Sequence, residues 1–257
     1  MKFREIFCFE FAYQARRVRT WLYFVILFVV ANRLRGGGVN SLFTAAQETL
    51  LLGLLWALMA PAVAGGAAAR DVQTRMHPLV YTAPIRKADY LGGRFLAALG
   101  LNALILLAVP LGMLVDFLLP GGKPEIIGPF PPIAYFGAYG FLVLPTAVIF
   151  TAVQFSFAAL TRKAVVSYLG TVLFCVGVGS TAAVLTNVFH LPTLVALLDP
   201  TARIILVRIP ETTLREMDSV LLGMKGSMLA NRLLWVAIAL VVLAFTYRRF
   251  RFEHRAK

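Results

Sequence analysis

The sequence predicts an all-α integral membrane protein, a single domain over residues 1–257 with six transmembrane helices and both chain termini on the cytoplasmic side. Of the 257 residues, 60% are hydrophobic and 14% are charged, whereas soluble domains are about 45–50% apolar and about 25% charged. The charges lie in short clusters that separate long uncharged stretches. A lipid bilayer is the solvent in which such stretches are stable.

Four uncharged stretches are long enough to cross a membrane, since a spanning helix needs about 20 apolar residues. They cover residues 50–69, 95–115, 132–160 and 164–189. Two shorter stretches, 21–31 and 233–247, are also predicted to cross. The second of these requires that Arg232 reaches the headgroups, and the first requires flanking arginines at both ends to do so.

Charge counting supports the short first span. With six spans, 17 of the 25 Lys and Arg residues lie on the side of the termini, and such an excess marks the cytoplasmic side. Without the first span, 12 Lys and Arg residues would lie on the inner side and 13 on the outer side, and the excess disappears. We therefore expect a multi-pass protein of the plasma membrane, which in bacteria is the inner membrane. The net charge of +13 is then explained by basic residues that lie against the anionic lipids of the cytoplasmic leaflet. Nucleic-acid binding is not needed to explain it.

Residues 1–20 mix aromatic and basic residues, which is typical of a helix that lies in the membrane interface. The apolar face of this helix is interrupted by Glu10, Gln14 and Arg17. A flexible basic tail that leads into the first span is the alternative interpretation.

The loop at residues 70–90 joins the second and third spans and contains the main candidate site. Its first residues continue the preceding helix, Pro78 and Pro84 interrupt it, and residues 86–90 start the next helix. Exposed apolar residues in a charged frame indicate a docking surface for a cytoplasmic partner, although burial against the protein's own helices is the alternative. The candidate docking residues are Arg70, Asp71, Arg75, Met76, His77, Leu79, Val80, Tyr81 and Pro84.

The longest predicted external loop covers residues 187–231. Two apolar patches, at 191–198 and 204–209, are too short to span a bilayer and could form re-entrant helices. This loop shows no catalytic pattern.

No catalytic, metal or cofactor site is predicted in this chain. The glycine-rich pattern that cradles nucleotide phosphates is absent, and the three histidines are not spaced for zinc. Cys8 and Cys175 are predicted to be far apart and unpaired.

Four polar residues in or near the spans are weaker candidates for the transport pathway. Glu48 and Asp116 lie near the outer ends of their spans, where interface placement competes with proton relay or substrate contact. Asn102 and Gln154 lie within spans, where helix packing is the default interpretation.

The loop at 70–90 resembles the permease subunits of type-2 ATP-binding-cassette exporters. The likeness rests on the arginine-rich segment that leaves span two, on Leu-Val-Tyr-Thr-Ala-Pro-Ile at 79–85 and on Ala-Asp-Tyr-Leu-Gly-Gly-Arg-Phe at 88–95. It is most similar to the amino-terminal permease portion of bacterial proteins that fuse such permeases to a zinc aminopeptidase. That similarity extends to Leu-Asp-Pro at 198–200 and Tyr-Arg-Arg-Phe at 247–250. Because the sequence ends at Lys257, without a second six-span unit or a peptidase, peptidase activity is not expected.

The resemblance implies that the 70–90 loop holds a coupling helix that docks on a separate ATPase subunit. ATP and Mg would be bound by that partner. Two six-span units, from a homodimer or a paralogue, would line the pathway, and residues 76–84 would pass ATP-driven movement to spans two and three. Under this interpretation, Tyr81→Asp is expected to weaken ATPase association.

Three other classes remain open. A non-transporting membrane anchor for a cytoplasmic partner would also explain the loop. An ion-coupled carrier would need ionisable residues deep in the spans, and a membrane enzyme would need convergent catalytic residues at that depth. The clear spans contain neither pattern.

Overall fold

The computed structural model describes residues 2–34, 42–118, 132–207 and 226–252. Every regular element within these ranges is helical, which confirms the all-α prediction. The elements are α1 (Lys2–Ala15), α2 (Val18–Leu34), α3 (Leu42–Gln73), α4 (His77–Thr82), α5 (Lys87–Leu106), α6 (Ala108–Leu118), α7 (Pro132–Ala138), a π-helix (Tyr139–Val143), α8 (Leu144–Thr161), α9 (Val165–Asn187), α10 (Pro192–Leu197), α11 (Arg203–Val207) and α12 (Ser227–Arg249).

Five helical segments are long and apolar enough to cross a membrane. This finding supports a multi-pass membrane protein and matches predicted spans two to six. The segments are Ala45–Gln73, Lys87–Val115, Tyr135–Thr161, Val165–Asn187 and Ser227–Arg249. The second of them combines α5 and α6, and the third combines part of α7 with the π-helix and α8.

The predicted first span lies in α2, which has 17 residues. At 1.5 Å per residue this helix is about 25 Å long, so it is shorter than the other five segments. It nevertheless packs closely on α6. A Cβ atom added to Gly112 would overlap the carbonyl oxygen of Phe28 and lie 2.9 Å from Cβ of Ala31. Glycine is required there because the two backbones touch.

Helices α3, α5 and α8 form the centre of the bundle. Small residues of α3, including Ala60, Ala64 and Ala67, are fully buried, which allows neighbouring helices to approach closely. A chain of edge-to-face rings then runs outward from α3. Trp56 contacts Phe150 of α8 at 6.1 Å between ring centres, and Phe150 contacts Phe174 of α9 at 5.4 Å. Phe174 and Trp235 complete the chain at 5.7 Å.

Helices α9 and α12 lie at the periphery of the bundle. Val172, Leu173 and Val176 of α9 are more than half exposed, as are Leu240 and Val241 of α12. In water such surfaces would be unfavourable, but in a bilayer they are ordinary lipid-facing surfaces.

Two short helices, α10 and α11, lie where the sequence predicted apolar patches in the 187–231 loop. Their insertion into a leaflet stays a prediction, and residues 208–225 of this loop lie outside the described ranges. Asp199 organises the turn between them. Its carboxylate accepts hydrogen bonds from the backbone N–H groups of Thr201 at 2.9 Å and of Ile204 at 2.8 Å.

The prediction that Arg232 extends to the headgroups is wrong. Helix α12 begins at Ser227, five residues earlier, so Arg232 lies inside the bundle and is 4% exposed. Its guanidinium donates to Thr146 Oγ1 and to the carbonyl oxygen of Pro200, both at 3.0 Å. It also donates to Asn231 Oδ1 at 2.6 Å. Neutral acceptors therefore hold this buried cation and tie α12 to α8.

A pair of glycine substitutions tests whether α2 is an integral part of the bundle. Gly112→Ala is expected to lower stability by about 1–3 kcal/mol, because the added methyl group overlaps a neighbouring backbone. Gly177→Ala is the control, since it adds the same atom to a helix where nothing lies within 4 Å. It is expected to be neutral or to stabilise by at most about 1 kcal/mol. Thermal unfolding in detergent measures both, and equal midpoints would contradict the close contact of α2 with α6.

Candidate functional site

The predicted docking loop lies at the end of the bundle where α3 ends and α5 begins. Here this is called the basic end, because Arg70, Arg75 and Arg86 are located there together with Arg162 and Arg248. Helix α3 ends at Gln73, and a turn with a left-handed residue, Arg75 at φ 58°, leads into α4. A short helix therefore lies where the sequence placed the docking segment. Its role as a coupling helix stays a prediction.

A buried ion pair joins α3 to α5 beneath this loop. Asp71 Oδ1 lies 2.6 Å from Nη2 of Arg94, and Asp71 Oδ2 accepts a hydrogen bond of 3.0 Å from the Tyr90 hydroxyl. Arg94 also donates to the Ala67 carbonyl oxygen at 2.8 Å. Asp71 and Arg94 are each 4% exposed. Asp71, predicted as a docking residue, is thus an internal group that positions the loop and is inaccessible to a partner in this conformation.

Helix α1 extends the charged network. Glu10 Oε2 forms a 2.7 Å ion pair with Nη1 of Arg70, and Gln14 Nε2 donates to Glu10 Oε1 at 2.9 Å. Glu10 and Gln14 are each 1% exposed. Burial raises the pKa of Glu10 above its ordinary value, and the positive charges of Arg94 and Arg70 oppose that rise.

The sequence interpretation of α1 therefore needs a correction. Residues 2–15 are helical, so the flexible-tail alternative is wrong for them. Glu10 and Gln14, which interrupt the apolar pattern, form the face that packs into the protein, while Phe9 is largely exposed. Close packing on α5 is also evident, because a Cβ at Gly93 would lie 3.0 Å from Ile6.

Helix α4 divides its apolar residues between two environments. Leu79 is 68% exposed and Met76 is 49% exposed, as the docking interpretation expected. Val80 and Tyr81 are half-buried and pack on the core, so the alternative of burial against the protein's own helices holds for them.

The ring of Tyr81 belongs to an aromatic cluster. Its centre lies 5.4 Å from that of Phe252, 6.2 Å from that of Tyr90 and 6.3 Å from that of Phe250. Phe250 is 2% exposed. These rings fix α4 against α5 and against the segment that follows α12. Burial also raises the pKa of the Tyr81 phenol, so this group stays protonated.

The remaining predicted docking residues lie around these anchors. Arg75 and Pro84 are exposed. His77 is half-buried, with its ring 5.9 Å from that of Tyr81. Arg70 is largely buried and pairs with Glu10.

A cleft of about 520 Å³ separates part of α1 from the α4 segment. Ile6 and Phe9 line one wall, and Met76 and Val80 line the other. Arg94 lies at the charged base.

The predicted pathway residues lie apart from the docking loop. Asn102 Nδ2 donates to Thr151 Oγ1 at 3.0 Å and thereby joins α5 to α8. Gln154 Nε2 donates to the Ala57 carbonyl oxygen at 3.3 Å. That oxygen is four residues before Pro61, which has no N–H to offer it, so Gln154 satisfies the group that the proline leaves unpaired. Both residues act as packing residues, and their pathway role stays a prediction.

The other two predicted pathway residues are carboxylates near the ends of α3 and α6. Glu48 is half-buried near the start of α3. Asp116 is on α6, and its side chain lies outside the described part of the structure. Cys8 and Cys175 are both free thiols, as predicted.

Sequence reasoning missed several residues of the site. Glu10 was only an interruption of the apolar face of residues 1–20 and Arg94 only part of the 88–95 stretch, and only their tertiary partners show that both are buried. Phe250 and Phe252 looked like part of a basic tail. The available signal was Arg94 directly before the predicted start of span three, because an arginine that a longer helix draws into the bundle requires a buried counter-charge such as Asp71.

Comparison with models of known protein families gives no match, and comparison with curated protein sequences gives no significant match. Within the described residues, no group of three or more His, Cys, Asp or Glu side chains is placed to hold a metal ion.

The ion pair yields a stability prediction. Asp71→Asn is expected to destabilise the protein by about 3–5 kcal/mol, because it leaves the buried Arg94 cation without its directly bonded counter-charge. Glu5→Gln is the matched control, since it neutralises an exposed carboxylate at the edge of the same cleft and should change stability by less than about 0.5 kcal/mol. Thermal unfolding of the purified variants measures the difference. A comparable small effect for both would show that the pair does not hold α3 to α5.

Proposed function

We propose that this chain is the membrane-spanning permease subunit of an ATP-binding-cassette exporter. In this proposal α4 docks on a separate ATPase subunit, which binds ATP and Mg. A second six-span unit, either a second copy or a paralogue, completes the pathway. The observation that carries the proposal is an exposed apolar residue, Leu79, on a short helix whose Tyr81 ring packs against Tyr90 of the long apolar segment that begins with α5.

The surface of α4 fits a protein partner. Leu79 and Met76 present apolar side chains to the outside, and the exposed Arg75 and Arg86 flank them. An apolar centre with a charged rim is the usual anatomy of a protein interface. Since α4 itself has only six residues, its position depends on the Asp71, Arg94 and Tyr90 contacts below it.

The same contacts support transmission of movement. Only residues 74–76 separate α3 from α4, and Tyr90 in the first turn of α5 contacts both Tyr81 and Asp71. A partner that displaces α4 therefore acts directly on the ends of α3 and α5. Because interlocked contacts favour discrete arrangements over gradual bending, such displacement suits a switch between two states.

The packing of α2 supports the six-span topology within this proposal. Helix α2 starts near the basic end, where a Cβ at Gly66 would lie 3.2 Å from the Arg19 guanidinium. It then runs along α6, where Asn32 Nδ2 lies 3.4 Å from the Gly112 carbonyl oxygen. The basic end would face the cytoplasm of the plasma membrane because it carries the Lys and Arg excess.

Two such units would line the pathway, and each would contribute polar groups from between α3, α5 and α8. Asn102 Oδ1 and Gln154 Oε1 are buried and have no hydrogen-bond partner among the described residues. Each unpaired acceptor costs about 1–3 kcal/mol, and water or a polar substrate group would satisfy it if α8 moved away from α3 and α5.

Leu79→Asp is expected to abolish the association with the ATPase subunit, because it places a charge at the apolar centre of the docking surface. Val165→Asp is the control, since it introduces the same charge at another highly exposed apolar position, at the start of α9. The measurement is co-purification of the ATPase and the ATP hydrolysis of the complex, with thermal unfolding as the check on folding. Tyr81→Asp is less informative, because it would also disrupt the internal aromatic cluster.

The docking proposal is overturned if Leu79→Asp and Val165→Asp retain the ATPase equally well. A membrane anchor that does not transport is the second candidate, since the exposed α4 surface alone would serve it. ATP-dependent substrate movement in vesicles that contain the complex separates the two functions.

A further inference from the structure

Arg162 links α4 to parts of the chain that are remote from α3 and α5. It occupies the short connection between α8 and α9, with a left-handed backbone at φ 61°. One guanidinium nitrogen donates to the Tyr81 hydroxyl, and the other donates to the carbonyl oxygen of Arg251. A single side chain thus contacts α4 and the segment that follows α12.

The segment after α12 folds back under α4. Phe250 and Phe252 stack edge to face at 5.6 Å, and the Phe252 ring lies 5.4 Å from each of Tyr81 and Tyr90. The guanidinium carbon of Arg162 lies 4.0 Å from the Phe250 ring centre, a distance at which a cation is attracted to the ring face. The segment is therefore fixed on both sides, by rings and by the arginine.

We infer that Arg162 and residues 250–252 form a strap that holds α4 to α8, α9 and α12. The inference goes beyond docking, because it concerns helices that do not flank the 70–90 loop. Its consequence for transport rests on the proposed function. Movement of α4 would then reach α8, α9 and α12 as well as α3 and α5, and Arg162 would be the positioning residue for that second route.

The geometry requires arginine in particular. A guanidinium is planar and carries several N–H donors, so it can bind two acceptors while its face lies on a ring. A lysine ammonium is a compact charge on a flexible stem and cannot reproduce this arrangement. Charge alone would therefore not preserve the strap.

Limited proteolysis of the full chain in detergent tests the strap without any partner. Arg162→Ala is expected to accelerate trypsin cleavage after Arg251 about tenfold, because cleavage follows the population of the released segment. Arg162→Lys should resemble Arg162→Ala. Lys163→Ala, which removes the adjacent exposed charge, should cleave at the wild-type rate.

A second variant distinguishes release of the strap from general unfolding. Phe252→Ala removes a ring of the strap itself and should accelerate cleavage after Arg249, a bond whose two residues are unchanged, while thermal midpoints stay within a few degrees of wild type. Wild-type cleavage rates in both Arg162→Ala and Phe252→Ala would overturn the inference. So would wild-type protection in Arg162→Lys, because a simple charge would then suffice.

The outcome is independent of the ATPase. If no ATPase associates with the wild-type chain, the proposed function fails, whereas the proteolysis result still decides whether the strap exists. If the ATPase does associate, Arg162→Ala is expected to retain it, because Leu79 remains exposed.

Discussion

The basic end of the bundle depends on the buried ion pair of Asp71 and Arg94. Two charges withdrawn from solvent are tolerated only when nearly all their hydrogen-bonding groups are satisfied. Tyr90 and the Ala67 carbonyl oxygen satisfy most of that set, and Nε of Arg94 is the one donor of the pair without a partner among the described residues. The requirement fixes the end of α3 relative to the start of α5, so both ends of the 74–86 connection are set. A six-residue helix that would be unstable alone thereby acquires a defined position.

The buried arginines at the two ends of the bundle have different kinds of partner. At the basic end, carboxylates on α1 and α3 neutralise arginines on α3 and α5. At the opposite end, Arg232 donates directly to neutral oxygens of Thr146, Pro200 and Asn231, and the nearby Asp199 carboxylate acts on it without a direct ion pair among the described residues. Between the two ends the helices meet mainly through small residues and aromatic rings, which need no polar partner. Among the described residues, only neutral hydrogen bonds, such as those of Asn102 and Gln154, join the helices there, and the buried charges lie towards the two ends.

Sequence patterns predicted the long helices well, because each needs a long uncharged stretch and such stretches are easily recognised. The exception was α2, whose apolar stretch is short and whose contact with Gly112 depends on tertiary structure. Patterns could not decide which apolar residues of α4 face outward, since six residues show no reliable periodicity. For the same reason Leu79 and Tyr81 looked equivalent. The buried roles of Glu10, Arg94 and Arg232 depend on partners far away in sequence.

Pro61 marks the level at which α3 can bend most easily. With 32 residues, the helix is about 48 Å long, which exceeds a hydrocarbon core of about 30 Å. A proline weakens a helix at one level, and here Gln154 and Ser167 bind the carbonyl oxygens of Ala57 and Pro61. The portion of α3 from Pro61 to Gln73 is about 18 Å long. A tilt of about 10° at Pro61 would displace the end of α3 by about 3 Å, so a small rearrangement beside Gln154 would be enlarged where α3 leads into α4.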